Sequence, residues 1–208
     1  MKKYGKLILA AAAFVLFMVT VSAAYTGLSK DYKPKQNLAT SDTSGTETDM
    51  PEETENTDTE AGAQDTAQQE KVKAVDFTVE NDLGEGVNLL SFVGKPIVLN
   101  FWASWCGPCK SELPDFQAAW ESHGSEIEFV MVNMTDGSRE TKEIAAAFWM
   151  DGGYTMPVFF DTASEAAYTY GVTALPTTLF INADGEIVAW AQGMIDADTL
   201  ELGISMIQ

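Results

Sequence analysis

The first long-range pattern in the chain is apolar. Residues 7–25 carry no charge and follow Lys2, Lys3 and Lys6. As a helix the run rises about 28 Å, close to the roughly 30 Å hydrocarbon core of a bilayer. Residues 1–25 therefore read as an N-terminal membrane anchor, the basic flank inside and the remainder outside the cytoplasm. Ser22-Ala23-Ala24 places small residues where a signal peptidase cuts, so a cleaved signal peptide is the alternative. The pattern then inverts. Residues 26–70 are dominated by Thr, Ser, Asp, Glu, Gln and Gly, with no aromatic after Tyr32. Such a tract cannot bury enough apolar surface to offset ordering, and a disordered acidic linker is expected.

From residue 71 onward, strand-like and helix-like periods alternate, which indicates an α/β domain over 71–208. Phe77-Thr78-Val79 and Val87-Asn88-Leu89 flank a turn at 81–84 and predict a hairpin. Ile97-Val98-Leu99-Asn100-Phe101-Trp102 reads as a buried strand, and 126–134 as a second. A helix is expected over 107–122, kinked by Pro114 and ended by Gly124. Another is expected over 138–150, capped by Ser138, with Ile144, Ala147 and Phe148 on its inner face. A short strand over 157–160 and a short helix over 163–170 follow. The stretches 177–182 and 186–191 flank Ala183-Asp184-Gly185, a hairpin signature. A helix over 196–207 closes the chain.

Charge divides the chain as sharply as hydropathy does. Residues 1–39 sum to +5, residues 40–70 to −10 and residues 71–208 to −14, giving −19 overall. Nucleic-acid binding needs clustered Lys and Arg, so nucleic acid is excluded as a partner. Nothing in the sequence calls for more than a monomer.

The chain has two cysteines and one histidine, His123. A disulfide framework needs several spaced pairs and a zinc site about four ligands, so neither fits, and no metal or other cofactor is expected. There is also no cysteine near residues 7–25 to carry a lipid. Cys106 falls between a strand and a helix, where the helix dipole and free N–H groups favour a thiolate. Cys109 lies one turn in, on the same side and better shielded. That spacing suits thiol–disulfide exchange, in which Cys106 attacks a substrate disulfide and Cys109 resolves the mixed disulfide. An inert buried pair is the alternative.

Trp105-Cys106-Gly107-Pro108-Cys109-Lys110, with Pro114 following, resembles the thioredoxin active site. More narrowly, Leu99-Asn100-Phe101-Trp102-Ala103-Ser104-Trp105 and Lys110-Ser111-Glu112-Leu113-Pro114 resemble the membrane-tethered TlpA/ResA-like thiol-disulfide oxidoreductases. Tyr170-Gly171-Val172, Pro176-Thr177-Thr178 and Asp184-Gly185 match the second half of that pattern in order. The resemblance covers 73–208. It implies a thioredoxin fold with an N-terminal β-hairpin extension and a central β–α insertion near 138–160.

The resemblance also implies site residues. Pro176 matches the family's cis-proline, against which the sulfurs sit, and the Leu175 backbone would pair with a substrate segment. Leu175 is apolar where reductive relatives often carry a polar residue. Thioredoxin itself has a buried aspartate where Asn100 stands. The ResA-like group instead has a glutamate matching Glu112, which would help deprotonate Cys109. Trp105 is expected to be partly exposed for partner contact, and Trp102 to be core. Lys110 reads as a solvated helix lysine, and His123, near a helix C-terminus, has no catalytic role.

The function implied is an extracytoplasmic thiol-disulfide oxidoreductase running reductively on exported protein disulfides. Apocytochrome c and a methionine sulfoxide reductase are the implied clients, and a CcdA/DsbD-type membrane thiol reductase the electron source. The alternatives are an oxidase using the same site and a redox-inert client-binding module.

Overall fold

The structure is a computed structural model that describes residues 39–40 and 72–208. The expected anchor or signal at 1–25 lies outside the described residues, as does the expected linker at 26–70 apart from Ala39–Thr40. Among the described residues no helix is long and apolar enough to cross a membrane.

In chain order the strands are β1 (Ala39–Thr40), β2 (Thr78–Glu80), β3 (Gly86–Asn88), β4 (Ile97–Trp102), β5 (Glu128–Asn133), β6 (Val158–Phe160), β7 (Thr177–Ile181) and β8 (Ile187–Gln192). The α-helices are α1 (Gly107–His123), α2 (Lys142–Asp151), α3 (Glu165–Thr169) and α4 (Ala197–Ile207), and a 3-10 turn spans Leu89–Phe92. The described strands form one eight-stranded mixed sheet in the order β1-β8-β7-β4-β5-β6-β2-β3. β4 is parallel to β5 and antiparallel to β7. The N-terminal hairpin β2–β3 extends one edge through β6. α2 and β6 form the insertion between β5 and α3. This is the thioredoxin fold with both expected additions.

Strand alternation sorts the core into two layers. All six residues of β4 are buried. Val98 and Trp102 join the layer under α1 and α4, with Phe129 and Met131 of β5 and Phe180 of β7. Ile97, Leu99 and Phe101 join the opposite layer, with Val130, Val132, Leu179 and Ile181. Asn100 shares the parity of Val98 and Trp102, so a polar side chain enters the first layer. It pairs in register with Thr178 of β7. In the same layer Trp102 packs on Trp149, ring centroids 4.8 Å apart, as the core residue expected.

α1 runs unbroken through Pro114 to the Gly124 cap. Gly124 is not left-handed there (φ −63°). Glycine is required instead because an added Cβ would stand 2.6 Å from the Trp120 carbonyl oxygen.

The helix expected over 138–150 differs at its start and on its inner face. It begins at Lys142 and is capped by the Thr141 side chain, which accepts from the Ile144 N–H. Ser138 is consumed by a preceding turn, in which Asp136 Oδ1 accepts from the N–H groups of Ser138, Arg139 and Glu140. The buried face is Ala145 and Trp149, with Phe148 partly covered. Ile144 is 46% exposed and Ala147 is also outside.

Candidate active site

β4 and the turn after it deliver Ser104 and Trp105 to the start of α1. Cys106 is the N-cap of that helix: its extended backbone ends the turn, and its Sγ accepts from the Cys109 N–H at 3.2 Å. Pro108 stands in the first turn, where a missing N–H costs nothing. The two sulfurs are joined in a disulfide, with Cα atoms 5.3 Å apart. Cys109 is fully buried, and Cys106 is only 5% exposed, so the attacking position is more enclosed than a bare helix start. An N-capping sulfur receives backbone donors and the positive helix end, both of which favour a thiolate once the bridge is reduced.

The Leu175–Pro176 peptide is cis. Leu175 is partly buried, and its N–H and C=O find no backbone partner among the described residues. The Pro176 carbonyl is held by the Gly193 N–H at 2.8 Å. Leu175, Trp105, Cys106, Pro108, Arg139 and Asp161 line a common cleft of about 600 Å³. Trp105 is 41% exposed, and the Arg139 guanidinium carbon lies 3.9 Å from its ring centroid.

Glu112 lies one helical turn beyond Cys109 and is 1% exposed. Its Oε1 accepts from Asn100 Nδ2 at 2.9 Å and its Oε2 from the Ile195 N–H at 3.0 Å. Burial drives its pKa up to about 7, against the opposing pull of the Ile195 N–H and the Asn100 amide, while the charge of Asp115 adds a further rise. Asn100 Nδ2 also donates to Thr178 Oγ1 at 3.0 Å, and its buried Oδ1 has no partner. A carboxyl with a pKa near 7 can take or give a proton at neutral pH.

Sequence reasoning missed Glu140. It reads as one more acid in an acidic domain, yet it is completely buried. Its oxygens accept from the Ser104 N–H at 2.7 Å, the Ser104 hydroxyl at 2.6 Å and Asn133 Nδ2 at 2.7 Å. Glu140 thus pins the turn that carries Trp105 and Cys106 to the end of β5. No local signal distinguishes it, because its partners lie 36 and 7 positions away. His123 meets Glu201 of α4 at 3.2 Å, and Lys110 is exposed.

Comparison with known proteins agrees with this geometry. Residues 71–190 match the AhpC/TSA family model. The sporulation thiol-disulfide oxidoreductase A of Bacillus subtilis (strain 168) is 32% identical over 140 residues, covering 67% of this chain and 83% of that protein. The chain belongs to the AhpC/TSA family. Within the family it stands with the ResA-like thiol-disulfide oxidoreductases. Thiol-disulfide oxidoreductase ResA of the same Bacillus strain is 32% identical over 136 residues, covering 65% of this chain and 74% of that one. Among solved structures, StoA of Bacillus subtilis is 29% identical with a TM-score of 0.55, covering 62% of this chain and 96% of StoA. A DsbF homologue of Corynebacterium diphtheriae is 26% identical with a TM-score of 0.59, covering 71% of this chain and 98% of that one. The chain is thus a thiol-disulfide oxidoreductase by family, with the paired cysteines that such chemistry requires.

Proposed function

We propose that this protein reduces disulfides of exported proteins by a Cys106/Cys109 dithiol cycle on the outer side of a membrane. The observation that carries the reading is the Cys106–Cys109 pair at the start of α1, with Cys106 lining a cleft shared with Leu175. In the reduced protein the Cys106 thiolate attacks one sulfur of a client disulfide. A mixed disulfide forms, and the client's other sulfur leaves and takes a proton. Glu112 accepts the Cys109 proton, directly or through water. The Cys109 thiolate then attacks Cys106 Sγ, forming the intramolecular disulfide and releasing the second client thiol. Two electrons pass to the client and Cys106–Cys109 is left oxidised.

Leu175 offers its unpaired backbone to a client segment as an added strand against Pro176, and Trp105 forms the neighbouring wall. Reduction back to the dithiol needs an outside donor of two electrons, and a CcdA/DsbD-type membrane thiol reductase fits that chemistry. The apolar run at 7–25 supports anchoring with the domain outside the cytoplasm. Apocytochrome c and a methionine sulfoxide reductase are the clients proposed.

Insulin reduction is the test. The wild type is expected to precipitate insulin chains and Cys106→Ala to lose that activity. A reduction potential near the roughly −270 mV of thioredoxin is expected. A value near the about −120 mV of DsbA would reject the reductive direction.

A further inference from the structure

The domain is strongly acidic, yet its uncommitted positive charge is concentrated at one place. The described residues include five Lys and Arg side chains. Lys73, Lys95 and Lys142 pair with Glu186, Glu128 and Glu80. Arg139 and Lys110 have no carboxylate partner among the described residues. Both stand by the cysteines: Arg139 lines the cleft that contains Cys106, and Lys110 lies one turn along α1 from it.

The acids of the cleft do not neutralise Arg139, because each is turned to backbone donors. Asp136 Oδ1 accepts from the N–H groups of Ser138, Arg139 and Glu140. Asp161 accepts from the N–H groups of Ala166 and Ala167 at the start of α3. The guanidinium instead lies over Trp105. Stacking uses its face and leaves the N–H donors of its edge free, a planar fork that matches a carboxylate. The next residue, Glu140, is buried and hydrogen-bonded to Ser104, so the backbone carrying Arg139 is tied to the turn carrying Trp105.

We propose that Arg139 is a specificity-determining residue that selects clients with a carboxylate side chain beside the disulfide cysteine attacked by Cys106. The proposal rests on the reductase reading above. Elsewhere the surface of this domain repels acidic segments, so the preference is local to the residues flanking the client cysteine.

Three disulfide peptides, identical except for Glu, Gln or Lys beside the cysteine, test it with the full-length reduced protein at about 0.15 M ionic strength. In single-turnover oxidation of the dithiol by excess peptide, the wild type is expected to prefer Glu over Gln by about two- to five-fold in the second-order rate constant, the range of a solvent-exposed ion pair. Lys is expected to be poorest. Arg139→Gln should erase the Glu/Gln ratio, Arg139→Glu should favour the Lys peptide, and Arg139→Lys should keep part of the preference. The ratio within one variant cancels any effect of Arg139 on Cys106 reactivity or folding. A wild type indifferent to the three peptides, or an Arg139→Glu variant that still prefers Glu, would overturn the proposal. Insulin separates the two levels. If the wild type reduces insulin but ignores peptide charge, only the role of Arg139 falls; if it reduces neither insulin nor the peptides, the reductase reading falls as well.

Discussion

Replacing Glu112 by glutamine should change how stability depends on pH more than it changes stability at any one pH. In the oxidised protein neither cysteine titrates, so Glu112 can be followed without them. Its pKa is raised from 4.5 to about 7, chiefly by burial. Between those values the folded state holds a proton that the unfolded state has released, so wild-type stability falls as pH rises through the window and levels off above about 7. At about 1.4 kcal/mol per unit, the shift corresponds to about 3 kcal/mol lost between pH 4.5 and pH 7. Glutamine cannot ionise and removes that slope. It can offer oxygen to only one of the two N–H donors that face the carboxyl, which costs about 1–3 kcal/mol relative to the protonated wild type at low pH. Urea unfolding of both oxidised proteins from pH 4 to pH 8 should show the variant weaker at pH 4 and the gap closing by about 3 kcal/mol by pH 8. Subtraction removes the contribution of groups common to both proteins. Parallel curves would refute a buried carboxyl titrating near neutrality, and with it the proton-acceptor role of Glu112.

Asn100→Leu removes a donor to Glu112 Oε1. A hydrogen bond to a charged group is worth about 1.5–3 kcal/mol, so the Glu112 pKa should climb by roughly one to two units. The alkaline shift should appear in the pH midpoint of mixed-disulfide resolution, followed by rapid-quench alkylation, and an unmoved midpoint would remove Asn100 from the network. Glu140→Ala leaves the donors of half-buried Ser104 and buried Asn133 unmatched and should cost about 3 kcal/mol in urea unfolding. The same variant should expose residues 103–106 to faster proteolysis, and a loss under about 1 kcal/mol would show that this turn holds itself.

The elements most legible in the sequence were those whose pattern is local. The largely apolar run at 97–102 is β4, and Ala183-Asp184-Gly185 is the turn between β7 and β8. Asp196 caps α4, in line with a helix expected from residue 196. The start of α2 was misread because two capping residues compete three positions apart. Asp136 closes a turn through Ser138 and leaves Thr141 to begin the helix, so the inner face rotates from Ile144 to Ala145 and Trp149. At the site, the spacing of Cys106, Cys109 and Glu112 put all three on one helix. Residues that act across the fold were not legible. Glu140 reaches Ser104 over 36 positions, and Arg139 covers Trp105 only because the turn at 136–140 folds back over the cleft. Both look like ordinary surface charges until the sheet brings β5 beside β4.

The most direct test of the account compares which cysteine holds a client. Reduced Cys109→Ala and Cys106→Ala variants are mixed with oxidised insulin, quenched with an alkylating agent and resolved without reductant. The account predicts a covalent adduct on Cys106 in the Cys109→Ala protein, released by dithiothreitol, and none in the Cys106→Ala protein, whose Cys109 is completely buried. An adduct carried by Cys109, or no adduct on Cys106, would contradict it.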